Sequence, residues 1–255
     1  GAANKDAFAH AGILLGATDR IVVATGITNI YARDAFAMKT GAYALADAFP
    51  ERFLLGIGVS HGPTVEARGH DYGKPLTTMR GYLDAMELVR YVPPPPPELP
   101  GLVLAALGPR MIELARERAD GAHPYLVTPD HTARARGILG ARPFLAPEQG
   151  FVLETDPDAA RTIAREYLIG YLQLPNYLNS WREEGFGDDD FEHGGSDRLV
   201  DALIAWGDAG AVRARVRDHL HGGADHVALQ PVTRDLGRAM EELRALAPAL
   251  LDVAA

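Results

Sequence analysis

The sequence predicts an α/β fold built on a parallel sheet, and three observations support that prediction. Short apolar runs that suit strands alternate with longer segments of helical periodicity, which is the pattern of repeated βαβ units. The runs at 21–24 and 53–55 are continuously apolar, as in strands buried on both faces. The length of 255 residues is close to the roughly 250 of an α/β barrel. We therefore expect one domain spanning 1–255.

The predicted elements follow from local patterns along the chain. Residues 160–172 carry apolar side chains at helical spacing, and Asp156 and Pro157 suit the cap and first position of that helix. The stretch 176–197 is rich in Gly and Asp and poor in periodicity, which predicts an irregular excursion. It is either a lid beside the barrel mouth or a solvated surface insertion. The strands are predicted at 21–26, 53–59, 102–107, 123–127, 151–154 and 226–230.

Composition excludes several classes of function. The chain has 25 Lys and Arg against 34 Asp and Glu, a net charge of −9, and no basic stripe, which argues against a nucleic-acid partner. It has no cysteine, which excludes disulfides, thiolate metal sites and a cysteine nucleophile and makes the cytoplasm the expected location. No apolar run approaches the roughly 20 residues of a membrane span, and no signal peptide is visible.

The nine histidines do not form a recognisable metal motif. His219 and His221 are two residues apart in a helical stretch, so they point to different faces and make a poor metal pair. We expect them to be solvated histidines near a helix end. No P-loop or GxSxG sequence occurs either. The sequence therefore predicts no metal site.

A glycine-rich strand end is the first candidate site. Gly56 and Gly58 look like the start of a dinucleotide fingerprint, but the third glycine comes one position late and Pro63 follows it. A barrel strand that ends with Ser60 and His61 at its mouth fits equally well, because barrel enzymes place their active sites at these ends. His61 is then either a site residue or an ordinary loop histidine.

A strand-to-helix turn at Leu107, Gly108, Pro109 and Arg110 is the second candidate. Glycine permits close backbone approach, proline favours the first helical turn, and the free N–H groups there attract an anion. The turn therefore suits a phosphate group. An ordinary βα turn needs the same glycine and proline, so both interpretations stay open.

Several segments, in this order and spacing, resemble the luciferase-like monooxygenase superfamily. They are TGITNIYARD at 25–34, FLLGIG at 53–58, AALGPRM at 105–111, ADGA at 119–122 and GGADHV at 222–227. The resemblance covers nearly the whole chain and implies a TIM-type (β/α)8 barrel. The segment 21–26 corresponds to the family's third strand, so the first two strands and the first helix of that barrel have no counterpart in this sequence.

The resemblance also implies a cofactor and its contacts. The TGITNIYARD stretch is most similar to enzymes that use the deazaflavin coenzyme F420, in which reduced F420 passes a hydride to a small organic substrate. In relatives the bulge behind the ring often holds a non-prolyl cis peptide, which predicts a strained or cis bond within Thr25 to Ile27. His61 takes the place of an acidic proton donor found in some relatives. The residues implied as cofactor contacts are Thr25, Gly26, Ile27, Asn29, Val59, Ser60, Leu107, Gly108, Pro109 and Arg110, with His61 as the catalytic candidate.

Two further functions are compatible with the same resemblance. One is an FMN-dependent monooxygenase, which differs in cofactor and in its need for oxygen. The other is a non-catalytic flavin-binding barrel protein. In each case the expected partners are a small molecule and a second copy of the chain in a homodimer, with neither nucleic acid nor membrane.

Overall fold

The computed structural model describes residues 5–251, which fall into two compact units. The first unit ends at His123 and the second begins at Pro124. In both units parallel strands alternate with helices, so the predicted α/β class is confirmed. None of the described helices is long and apolar enough to cross a bilayer.

The first unit is built on a parallel sheet in which β3 is the central strand. In the order β1-β3-β4-β5 each strand pairs with its neighbour, and β2 pairs with β3 further along. Val23 lies opposite Phe53, which confirms that the predicted strands 21–26 and 53–59 are adjacent and parallel. The elements are α1 (Ala7–Gly16), β1 (Val23–Ala24), β2 (Thr28–Asn29), α2 (Ala35–Ala48), β3 (Phe53–Gly58), α3 (Gly62–Glu66), α4 (Pro75–Leu88), β4 (Gly101–Leu104), α5 (Pro109–Arg118) and β5 (Gly121–Ala122).

The second unit has a parallel sheet with β7 between β8 and β9. Short 3₁₀ segments occupy Tyr171–Gln173 and Asp188–Gly194. The other elements are α6 (Pro129–Leu139), β6 (Phe144–Leu145), β7 (Glu148–Val152), α7 (Pro157–Leu168), α8 (Pro175–Glu183), α9 (Asp197–Leu203), β8 (Ile204–Trp206), α10 (Ala209–His221), β9 (Ala228–Pro231) and α11 (Leu236–Leu251).

Local sequence explains where these elements begin and what they bury. Asp156 accepts a hydrogen bond from the Ala159 backbone N–H at 2.9 Å and caps α7, as predicted. Met79 and Leu83 of α4 are buried, because their spacing puts them on one helical face. In the second unit Phe151 of β7 packs in a buried cluster with Val212 of α10.

Three predictions need correction. The strand predicted at 123–127 does not form. The strand β5 stops at Ala122, and Pro124 has no N–H to donate to a ladder. The stretch 176–197 is more regular than predicted, since most of α8 lies within it. His219 is fully buried rather than solvated, and its imidazole bonds Thr132 Oγ1 at 2.8 Å and Gln149 Oε1 at 2.9 Å.

Candidate functional site

The site begins where β1 ends, at Thr25. Its hydroxyl donates to the Gly56 carbonyl at 2.8 Å and accepts from the Gly56 N–H at 2.9 Å. The side chain is 8% exposed, so both hydrogen bonds are sheltered from water. Thr25 thereby attaches the end of β1 to the neighbouring strand β3 and fixes the chain that follows it.

The two glycines of β3 are explained by this close approach. A Cβ atom at Gly56 would lie 1.9 Å from the Thr25 carbonyl oxygen. A Cβ atom at Gly58 would lie 2.8 Å from the Ile27 side chain and 2.9 Å from the Ala105 Cβ. Only glycine fits at either position without displacing its neighbours. The Gly-x-Gly pattern therefore makes room for the segment 25–27.

The segment 25–27 also contains a non-prolyl cis peptide bond, between Gly26 and Ile27. The family resemblance predicted a strained or cis bond within Thr25 to Ile27, and this prediction is confirmed.

A cavity of about 520 Å³ opens beside this segment in the first unit. Its wall is formed by β1, by the chain from Thr25 to Asn29, by α1 and by Ser60, which follows β3. Since β1 and β3 are parallel, these loops leave the same edge of the sheet, where α/β enzymes bind their ligands. The predicted residues that line this cavity are Thr25, Gly26, Ile27, Asn29 and Ser60.

Thr28 is a cavity residue that the sequence interpretation missed. It is 4% exposed, lines the cavity, and its hydroxyl has no hydrogen-bond partner. A buried hydroxyl without a partner costs free energy unless a ligand or a water molecule satisfies it. Beside it, Asn29 Oδ1 accepts from the Tyr31 N–H at 2.9 Å. Thr28 lies inside the TGITNIYARD stretch at 25–34, but nothing in the sequence distinguishes its role from that of Thr25.

Ser60 is held in an unusual backbone conformation at the cavity wall. Its φ is 59°, in the left-handed region that residues with a Cβ seldom adopt. The Tyr72 hydroxyl donates to the Ser60 carbonyl at 3.0 Å, and the Tyr31 hydroxyl in turn donates to the Tyr72 carbonyl. These contacts anchor the loop that carries Ser60 toward the cavity.

The remaining predicted residues lie outside the cavity lining. Val59 and His61 flank Ser60, and both are partly buried. Burial lowers the pKa of His61, so its imidazole is neutral at pH 7. Leu107 to Arg110 form the start of α5, where Gly108 is the N-cap and Arg110 is exposed. The structure thus brings together the residues near β1 and β3, but not the turn before α5.

The second unit contains a polar cluster of its own, which we call the tyrosine cluster (Tyr125, Tyr167, Tyr171, Gln230). The Gln230 side-chain amide donates to the Tyr167 hydroxyl at 2.8 Å, and the Tyr125 hydroxyl contacts the hydroxyls of Tyr167 and Tyr171. Burial, reinforced by Glu148, raises the pKa of both Tyr125 and Tyr167. These phenols therefore stay protonated at neutral pH.

Glu148 lies close to the tyrosine cluster and is 4% exposed. Its Oε2 accepts from the Leu126 N–H at 3.2 Å, while its Oε1 has no partner. Burial raises the pKa of Glu148 to about 8, so its carboxyl is largely protonated at pH 7. No group of three His, Asp or Glu side chains between residues 5 and 251 is placed to hold a metal ion.

Comparison with known proteins identifies the family. The family model described as luciferase-like monooxygenase matches residues 1–226. The chain therefore belongs to the luciferase-like monooxygenase family.

Sequence relatives are more distant. A 5,10-methylenetetrahydromethanopterin reductase of Methanolobus tindarius is 28% identical over 134 residues, which cover 46% of this chain and 41% of the relative. An uncharacterized protein of Mycobacterium tuberculosis is 24% identical over 212 residues, which cover 67% of this chain and 62% of that protein. The matches thus span from two fifths to three fifths of these relatives' own length.

Solved structures show the same fold. An F420-dependent secondary alcohol dehydrogenase, in complex with an F420–acetone adduct, aligns with a TM-score of 0.76 at 14% identity, over 97% of this chain and 84% of that one. The F420-dependent tetrahydromethanopterin reductase of Methanopyrus kandleri aligns at 0.67 with 18% identity, over 97% and 88%. The oxygenating component of a diketocamphane monooxygenase of Pseudomonas putida, in complex with FMN, aligns at 0.60 with 16% identity, over 93% and 83%. The predicted fold class, that of the TIM-barrel enzymes of this family, is confirmed.

Proposed function

We propose that this protein is an oxidoreductase that transfers a hydride between the deazaflavin coenzyme F420 and a small organic substrate. The observation that carries the proposal is the cavity at the ends of β1 and β3, with the buried hydroxyl of Thr28 in its wall. A flat heteroaromatic ring edged with carbonyl and N–H groups would satisfy that hydroxyl once the Thr28 side chain turns toward the cavity. The volume of about 520 Å³ lies in the range of ordinary cofactor pockets, roughly 300–1,000 Å³.

The residues of the cavity suit such a ring. Gly26 is exposed and lines the cavity, so its backbone is open to a flat ligand, while a Cβ atom there would lie 3.2 Å from the His123 imidazole. Thr28 and Ser60 offer hydroxyls. The Asn29 Oδ1 accepts from the Tyr31 N–H, which orients the amide so that its NH₂ group is the part offered to a ligand. We infer that Thr25, Gly26, Ile27 and Asn29 contact the ring, with Val59 and Ser60 at its edge.

His61 and the turn before α5 do not line the cavity, but both have a role in the proposed function. His61, neutral and next to Ser60, remains the candidate for moving a proton to or from the substrate. The turn of Leu107, Gly108, Pro109 and Arg110 remains a predicted phosphate contact, which rests on the family resemblance and on the start of α5, where the N-cap Gly108 makes no side-chain cap hydrogen bond. When bound, the deazaflavin would supply the hydride, and the residues named here would position its ring.

Relatives support a deazaflavin more directly than a flavin. The methylenetetrahydromethanopterin reductase matches in sequence, and two aligned structures are F420-dependent. An FMN-dependent monooxygenase is the second candidate, because an FMN complex of that class shares the fold.

Binding measurements separate the two candidates. We expect the purified protein to bind F420 more tightly than FMN in parallel fluorescence titrations. We also expect it to oxidise reduced F420 in the presence of a suitable substrate. Tighter binding of FMN would contradict the deazaflavin proposal and favour the monooxygenase.

Arg110→Ala should weaken F420 binding by about 1 kcal/mol if its guanidinium contacts the phosphate, and equal binding would remove Arg110 from the site.

A further inference from the structure

The charged side chains at the cavity are mainly cationic, although the chain as a whole is acidic. The net charge of the protein is −9. Among the Lys, Arg, Asp and Glu residues that line the cavity, three are cations and one is an acid. We call the three cations the cationic rim (Lys5, Arg33, Arg68). A local excess of positive charge on an acidic protein attracts an anionic group to that place.

The members of the cationic rim differ in how much of their charge is already balanced. Arg33 pairs with Asp6 at 2.8 Å, and its guanidinium lies 4.6 Å from the centre of the Phe8 ring. A hydrogen bond from the Ala9 N–H, together with Arg33, keeps the pKa of Asp6 below its ordinary value, so this pair is a neutral unit. Arg33 is thereby held in place along the cavity wall.

Lys5 and Arg68 have no such balance. Both are exposed, and neither forms an ion pair with any residue in the part of the chain that the structure describes. They approach the cavity from two elements, since Lys5 precedes α1 and Arg68 follows α3. Two uncompensated cations therefore border the same cavity wall as the unpartnered hydroxyl of Thr28.

We propose that the cationic rim binds the acidic tail of the cofactor while the ring occupies the cavity beside Gly26 and Thr28. This inference rests on the proposed function. The ligand class is a heteroaromatic ring joined to a chain of phosphate and carboxylate groups, which F420 supplies through its phosphodiester and glutamyl groups. FMN carries a single phosphate, so it can engage fewer of these cations.

The rim and the turn before α5 are rival anchors for the tail. Arg110 is exposed and does not line the cavity, whereas Lys5, Arg33 and Arg68 do. A ligand whose ring lies in the cavity therefore meets the rim without leaving the wall that holds the ring. If the turn before α5 were the only anchor for the tail, the cations beside the ring would have no role in binding.

The experiment compares F420 with its tailless chromophore, 7,8-didemethyl-8-hydroxy-5-deazariboflavin, which keeps the ring and ribityl chain. Dissociation constants are measured by fluorescence titration at about 50 mM and about 500 mM salt. The wild-type protein should bind F420 at least tenfold more tightly than the tailless compound at low salt, and this ratio should shrink at high salt because the rim is exposed to screening. The double variant Lys5→Gln/Arg68→Gln should lose most of the ratio while keeping its affinity for the tailless compound.

A charge-matched control is available in the same unit. Lys74→Gln/Arg90→Gln removes the same two charges at exposed positions that do not line the cavity, and it should keep the ratio. A ratio unchanged in the rim variant, or lost in Arg110→Gln instead, would overturn the inference and leave the proposed function intact. Failure of the wild-type protein to bind either compound would overturn both.

Discussion

The cavity wall of the first unit and the tyrosine cluster of the second unit differ in whether their polar side chains have hydrogen-bond partners. In the tyrosine cluster, phenols and an amide bond one another, so their hydrogen-bonding groups are largely used inside the protein. At the cavity, the Thr28 hydroxyl is buried without a partner, and Lys5 and Arg68 have no ion pair among the described residues. Polar groups that the fold leaves unsatisfied beside open space mark a place where a ligand completes the structure.

The comparison also separates two kinds of buried polar group. Glu148 has a carboxyl oxygen without a hydrogen-bond partner, as the Thr28 hydroxyl has none, but Glu148 does not line the cavity of the first unit. Its protonation lets it remain buried without an ion partner. Glu148 therefore affects stability as a function of pH, whereas Thr28 should affect ligand binding. The predictions below test this division, from the largest expected effect to the smallest.

The largest effect is expected for Gly56→Ala. The added methyl group would lie 1.9 Å from the Thr25 carbonyl oxygen, which is backbone and cannot move without separating β1 from β3. We expect a loss of more than about 3 kcal/mol in the free energy of unfolding, measured by urea denaturation. Gly81→Ala is the control, because Gly81 lies in α4 with nothing within 4 Å, and it should stabilise by about 0.5–1 kcal/mol. Similar stabilities for the two variants would contradict the close approach.

Glu148 should make stability fall as pH rises. Its folded pKa of about 8 is above the ordinary value of 4.5, so the folded protein keeps a proton that the unfolded chain has released. Below about pH 6.5 the buried His219, whose pKa is lowered to about 3, contributes a slope of the opposite sign. Each pH unit between about 6.5 and 8 should therefore remove up to about 1.4 kcal/mol of unfolding free energy.

Glu148→Gln keeps the size of the side chain but cannot ionise. It should abolish this slope in denaturation curves recorded from pH 6.5 to pH 8. An unchanged slope in the variant would show that another group is responsible.

Thr25 and Thr28 should respond differently to the same substitution. Thr25→Val removes a hydroxyl with two buried hydrogen bonds and should lower the unfolding free energy by about 1–3 kcal/mol. Thr28→Val removes a hydroxyl with no partner, so stability should stay equal or rise. F420 affinity in Thr28→Val should fall about fivefold if the ring bonds this hydroxyl. Unchanged affinity would exclude Thr28 from the site.

The smallest effect is expected at Ser60. Ser60→Gly relieves the left-handed backbone at φ 59° and should raise the unfolding free energy by about 0.5–1 kcal/mol. Ser60→Ala loses the same hydroxyl but keeps the Cβ, so it should show no such gain. If the hydroxyl contacts the ring, both variants should bind F420 more weakly and to the same extent. A difference in affinity between them would assign the effect to the backbone.

Local patterns in the sequence were sufficient for several elements and for part of the site. Asp156 and Pro157 predicted the start of α7, and the continuously apolar runs predicted the parallel pairing of β1 with β3. The segment at Thr25, Gly26 and Ile27 was identified by its resemblance to a known family, and it lines the cavity. Such features depend on neighbours in sequence or on a motif, so they can be read from the chain alone.

The tertiary structure decided what each of these residues faces. His219 and His221 look alike in sequence, yet His219 is buried against Thr132 and Gln149 because that face of α10 packs on α6. Thr28 and Arg68 line one cavity only because β2 and α3 both lie beside β3 in the folded protein. Burial, orphaned hydrogen-bonding groups and shared walls depend on contacts between residues far apart in the chain, and those contacts exist only in the folded protein.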